Sequence, residues 1–168
     1  MKKTLLLMAF ALVCALPFFT SCDKEEYAGD VFVGSYEMTI VTDSLSADGV
    51  WFSSEYYQQM TGKPNPDLHG VLKIEPKEEQ GTYLATATIT LSTGETQTYF
   101  VANAKYNEET ENLELDRCSL ANPYDYVYNF EFNPFKYQEP LSFRSEMHTF
   151  IGTLDCGYIY TIVGNKTK

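Results

Sequence analysis

Apolar and polar side chains take turns along most of this chain, and that alternation limits what it can fold into. Tyr83, Ala85, Ala87, Ile89 and Leu91 fall on one side of an extended backbone, with Thr82, Thr86, Thr88 and Thr90 on the other. Successive strand side chains point to opposite faces, so a period of two marks a half-buried strand. The same period runs through Tyr36, Met38 and Ile40, then Phe100, Ala102, Ala104 and Tyr106, then Leu113 and Leu115. It continues in Tyr126, Tyr128, Phe130 and Phe132, in Phe150, Gly152 and Leu154, and in Tyr158, Tyr160 and Ile162. Shorter candidates are residues 50–53, 71–75 and 141–145. With 13 Tyr and 11 Phe, the chain is rich in the rings that suit a pleated surface.

Turn chemistry separates these runs. Ser46-Ala47-Asp48-Gly49, Ser92-Thr93-Gly94-Glu95 and Asn107-Glu108-Glu109-Thr110 read as tight connections, and residues 62–67 as a loop. Asn122-Pro123 and Asn133-Pro134 punctuate the later crossings. One segment has helical signals, with Ser54 as cap, Glu55 to Met60 as body and Gly62 as stop; an irregular loop is the alternative. About eight to ten strands joined by short links imply an all-β antiparallel meander. Closing it into a barrel removes exposed edges, and a β-sandwich is the alternative.

The N-terminus reads as an address. Lys2 and Lys3 precede an uncharged apolar run from Leu5 to Phe19, and Thr20-Ser21-Cys22 follow. The run is long for a secretory core of ~7–15 residues and short for a span of ~20. Small residues before a cysteine at this point resemble a lipobox, the cleavage site of bacterial lipoprotein signal peptidase. Phe19 stands where the strict pattern has Leu. The resemblance implies cleavage before Cys22 and lipid on its thiol, so that the membrane is reached through an anchor. Cys14 follows Val13, which is not small, and fits less well. Asp23-Lys24-Glu25-Glu26 resembles the export signal of Bacteroidetes lipoproteins, which implies the outer membrane and its cell-surface face; a solvated tether is the plainer account, with the periplasmic face as the other location. The organisation expected is a removed signal peptide over 1–21, an acidic tether over 22–30 and one domain over 31–168.

Loss of the leader takes Lys2 and Lys3 with it, moving the formal charge from −11 to −13. That balance argues against nucleic acid and anionic lipid as partners. Cys118 and Cys156 remain in the domain. An exported pair suggests a disulfide, closing a loop of about 39 residues for roughly 3–4 kcal/mol; two buried thiols are the alternative.

Gly34-Ser35-Tyr36 opens the first strand much as a Gly-x-aromatic motif opens the lipocalin fold. Together with the tether, the hairpins and a last aromatic strand ending in Gly164-Asn165-Lys166, it resembles the small calycin- or lipocalin-like lipoproteins of Bacteroidetes. Tyr36 replaces the usual Trp, and the long C-terminal helix of typical lipocalins is missing.

Catalytic patterns are sparse. His69 and His148 are far apart in sequence, and no HExxH, Walker-A, GxGxxG or GxSxG motif occurs. Glu114 and Asp116 share one strand face and so project together, as a glycoside hydrolase's acid pair must, but a solvated outer face is the better account of them. Asp43-Ser44-Leu45 matches the three-residue O-glycosylation pattern known in Bacteroidetes, with a local turn at Ser44 as the alternative. The aromatics Tyr36, Tyr83, Tyr126, Tyr128, Phe130, Phe132, Tyr158 and Tyr160 line a cavity or form solid core. The resulting expectation is a lipid-anchored, non-enzymatic binding domain for a small apolar or glycan ligand, without a cofactor or metal. The rival is an interaction or inhibitor module, or an accessory to an uptake or host-contact assembly, that contacts a protein partner.

Overall fold

The computed structural model describes residues 27–121 and 126–167. Cys22, the signal peptide and residues 22–26 of the tether lie outside them, as does Asn122-Pro123. A short 3-10 turn, Ala28–Phe32, leads into β1 (Gly34–Ala47). Then come β2 (Val50–Ser53), helix α1 (Ser54–Thr61), β3 (Leu68–Pro76), β4 (Thr82–Thr90) and β5 (Thr96–Asn107). The rest is β6 (Asn112–Leu115), β7 (Cys118–Ala121), β8 (Val127–Phe132), β9 (Phe135–Lys136), β10 (Leu141–Ile151) and β11 (Leu154–Lys166).

The strands form one antiparallel sheet in the order β7-β8-β10-β11-β1-β3-β4-β5-β6-β9, with β2 added beside the end of β1. The fold is all-β and barrel-like. The first and last long strands pair from Tyr36↔Lys166 to Ala47↔Cys156. A meander whose ends pair this way must curl, and the curl brings rings of β5 and β8 together inside. Tyr99 meets Phe130 at 5.2 Å and Phe100 meets Phe132 at 4.8 Å between centroids. Among the described residues no ladder joins β7 to β5, so side-chain packing closes that seam.

The alternation sorts as expected. Tyr83, Ala85, Ala87 and Ile89 are buried, as are Phe100, Ala102, Ala104, Tyr106, Leu113 and Leu115. Small alanines on β4 and β5 leave room for the large rings opposite. Gly94 closes the β4–β5 turn with φ +84°. The helix forms as expected, one residue displaced: Ser53 is the cap, accepting from the Tyr56 amide at 3.1 Å, and Gly62 ends it in left-handed conformation.

Three expectations need correction. Phe150, Gly152 and Leu154 do not share a strand face. Gly152 has φ +66° in the tight turn between β10 and β11, and Ile151 pairs with Leu154. Ser44 is not in a turn. It sits inside β1, half-buried, between Ser53 of β2 and Ile159 of β11, beside a bulge at Asp43 whose carboxylate accepts from Thr161 Oγ1 at 2.7 Å. Cys118 and Cys156 are free thiols. β8 and β10 stand between their strands, which is roughly 14 Å along the sheet, well beyond the ~7 Å Cα limit for a disulfide.

Candidate functional site

The two ends of the barrel-like sheet are finished differently. At the end where β1 begins, the Ala28–Phe32 turn fills the opening. Phe32 is completely buried and meets Phe135, Tyr137 and Tyr106 at 5.6–6.2 Å. Tyr36 Oη donates to the Phe32 carbonyl at 2.7 Å, and Tyr83 Oη donates to Asp30 at 3.1 Å. Both phenols are held above their ordinary pKa, mainly by burial. Tyr36 and Tyr83 are therefore core here, with hydroxyls satisfied.

At the other end a pocket of about 210 Å³ opens between the β4–β5 hairpin and β7, β8, β10 and β11. Ile89, Leu120, Phe130 and Met147 form its apolar floor, and Tyr99, Tyr128 and Tyr160 stand in its wall. Tyr99 reaches it through backbone geometry. Phe100 pairs with Ala87 and Thr98 with Thr88, so Tyr99 is the extra residue of a bulge and points inward beside Phe100. Its hydroxyl is buried against that of Tyr160, and the two interact without forming a well-aligned hydrogen bond. Burial raises the pKa of both phenols, which keeps them protonated as donors. Ser145 Oγ and Thr149 Oγ1, on the inward face of β10 flanking Met147, are buried without a protein partner. Each such group costs roughly 1–3 kcal/mol while unpaired. Tyr158 stacks on Tyr160 with rings 2° from parallel, 5.8 Å apart.

The Tyr126 to Phe132 stripe thus runs from solvent to core. Tyr126 is exposed, Tyr128 lines the pocket, Phe130 is buried and Phe132 packs against Phe100 and Phe143. The stripe is part wall and part core. Tyr99 was not among the expected residues. Its signal was the Tyr99-Phe100 doublet, which breaks the strict alternation of its strand.

Outside the sheet near the same end, His148 Nε2 pairs with Glu146 at 2.7 Å and Nδ1 faces Asp155 at 3.6 Å, with Trp51 edge-on at 6.3 Å. The Glu146 hydrogen bond raises the histidine pKa. With both ring nitrogens turned to carboxylates, neither serves the nearby buried Ser46 as a base. His69 sits on the outer wall beside Thr39 Oγ1 at 3.3 Å. Glu114 and Asp116 are exposed and line two different surface hollows, Glu114 accepting from Asn107 Nδ2 at 2.9 Å. They do not face each other across a cleft. Burial raises the Cys118 thiol pKa, which keeps it protonated and a poor nucleophile. Among the described residues no three ligating side chains converge on a metal position, and no helix is long and apolar enough to cross a membrane.

No family model and no curated protein matches the chain. Among solved structures, the chain is similar to the monomeric form of the Mycobacterium tuberculosis PknI sensor domain, at 12% identity over 77% of this chain and 84% of that one, with a TM-score of 0.42.

Proposed function

We propose that this chain is a lipid-anchored surface lipoprotein of the outer membrane whose barrel-like domain binds a small ligand at its open end, without catalysing a reaction on it. The observation that carries the reading is the tyrosine-walled pocket of about 210 Å³, with the poorly satisfied Tyr99 hydroxyl facing Tyr160 in its wall. Clefts that enclose a drug-sized molecule run to ~300–1,000 Å³. The occupant is therefore small, or enters by one end only. Rings on the walls suit an apolar ring or a sugar face. Buried hydroxyls suit a ligand that brings its own hydrogen-bonding atoms.

The anchor fits this geometry. Four residues, Asp23 to Glu26, separate Cys22 from Tyr27, a reach of no more than ~18 Å. Lipid on Cys22 holds the plugged end near the membrane, and the open end faces away.

Two measurements test the reading. A fluorescent apolar probe is expected to bind the Cys22→Ser protein saturably, and Leu120→Trp, which fills the pocket from its lining, is expected to abolish that binding. Equal binding by both proteins removes the pocket as the site. Growth with an alkyne-tagged fatty acid is expected to label the wild-type chain and leave Cys22→Ser unlabelled; label on neither overturns the anchor.

A further inference from the structure

The open end also carries a surface wider than its pocket. Trp51, Phe52, Tyr56, Met60, Phe150 and Ile151 are between 36% and 70% exposed there, across β2, α1 and the β10–β11 turn. Phe52 and Tyr56 stack at 5.7 Å with rings 11° from parallel, so two exposed rings are already arranged as one platform. The helix fully buries none of its side chains. By contrast, Val31 is the large apolar residue left exposed in the turn that plugs the opposite end. A solvated domain rarely gathers so many large apolar groups at one pole unless something covers them.

Charge narrows what covers them. Asp48, Glu55, Asp67, Glu95 and Asp155 stand on the turns, helix and strand ends of this pole, against Lys63 and the His148 imidazole that faces Asp155 among the described residues there. An acidic rim around aromatic rings repels a second copy of a chain with net charge −11 and repels anionic lipid head groups. It attracts Lys and Arg, which pair with the rim and lie over ring faces. On the lipid-anchor reading above, the pole also points away from the chain's own membrane. The surface spans three elements, so its occupant is larger than anything the pocket encloses. The geometry points to a docking surface for a cationic, amphipathic polypeptide segment, with apolar side chains on the Phe52–Tyr56 platform and basic ones at the rim.

The test uses the full chain, immobilised through a C-terminal tag, since Thr167 bonds Ser35 at the plugged end. The probes are a labelled peptide of Lys-Leu-Gly repeats, its Glu-Leu-Gly counterpart, and phosphatidylglycerol vesicles. Saturable binding of the Lys peptide is expected, at least about tenfold tighter than the Glu peptide and weakening as salt rises. Met60→Ser combined with Tyr56→Ala is expected to weaken it by about tenfold, and Glu55→Lys by several-fold. These residues are exposed, and melting curves check that the variants fold. Equal binding of the two peptides, unchanged binding by the variants, preference for the vesicles, or a dimer in sedimentation that these variants dissolve each overturns the inference. The pocket probe on the same samples separates this outcome from failure of the small-ligand reading.

Discussion

The plugged and open ends of the molecule use the same residue types to opposite effect. Both are rich in tyrosine and phenylalanine. At the plugged end each buried hydroxyl that closes the barrel has a partner, Tyr36 with the Phe32 carbonyl and Tyr83 with Asp30, and the rings pack on one another. At the open end Ser145 and Thr149 bury hydroxyls without a protein partner, Tyr99 meets Tyr160 only in a poorly aligned contact, and rings of β2 and α1 face solvent. A fold tolerates such costs where binding repays them, so on the proposed reading the contrast separates tyrosines that hold the structure from tyrosines offered to a ligand.

The largest expected effect lies in the plug. Phe32→Ala empties a fully enclosed ring site and should cost about 3–5 kcal/mol in urea unfolding. A loss under about 1 kcal/mol would mean that the 3-10 turn is not part of the cooperative core.

Removing one hydroxyl at each end is the sharper comparison. Tyr36→Phe leaves the buried Phe32 carbonyl without its donor and should cost roughly 1–3 kcal/mol, whereas Tyr99→Phe removes a hydroxyl held only by a poorly aligned contact with Tyr160 and should be close to neutral or stabilising. Equal costs in the two variants would erase the distinction between the ends.

A smaller effect is expected from pH. His148 has its pKa raised above 6.5 in the folded protein, chiefly by Glu146 and secondarily by Asp155, although burial opposes this. A raised folded value means the pair adds stability that is complete below about pH 6.5 and fades as pH rises through the folded value. The imidazole is partly exposed, so the contribution is modest. Unfolding of wild type and Glu146→Gln across that window should converge at high pH; parallel curves would sink the coupling.

The smallest effect on stability belongs to the open rim. Met60→Ser should leave stability within about 0.5 kcal/mol, because Met60 is 70% exposed. A larger loss would mean the rim is structural and the two ends are less different than they look.

Local chemistry made much of this legible. The period of two placed Tyr83, Ala85, Ala87 and Ile89 inside, since neighbouring side chains of a strand cannot share a face. Gly94 and Gly62 announced a turn and a helix end, because few other residues accept left-handed backbone at low cost. The same local rule failed at Gly152. Alternation continued through a turn there, and only the pairing of Ile151 with Leu154 reveals it.

By itself, then, the sequence determined that the chain is antiparallel β and which faces of most strands are buried, and it marked the ends of the one helix to within a residue while leaving a loop as the alternative there. The tertiary structure alone decided which end is plugged. It also decided that Tyr99 turns inward at a bulge, that Cys118 and Cys156 lie three strands apart, and that His148 meets Glu146 and Asp155. Each of these depends on register between strands distant in the chain. Asp48 and Asp155 touch across 107 residues, and no local preference encodes a contact of that range.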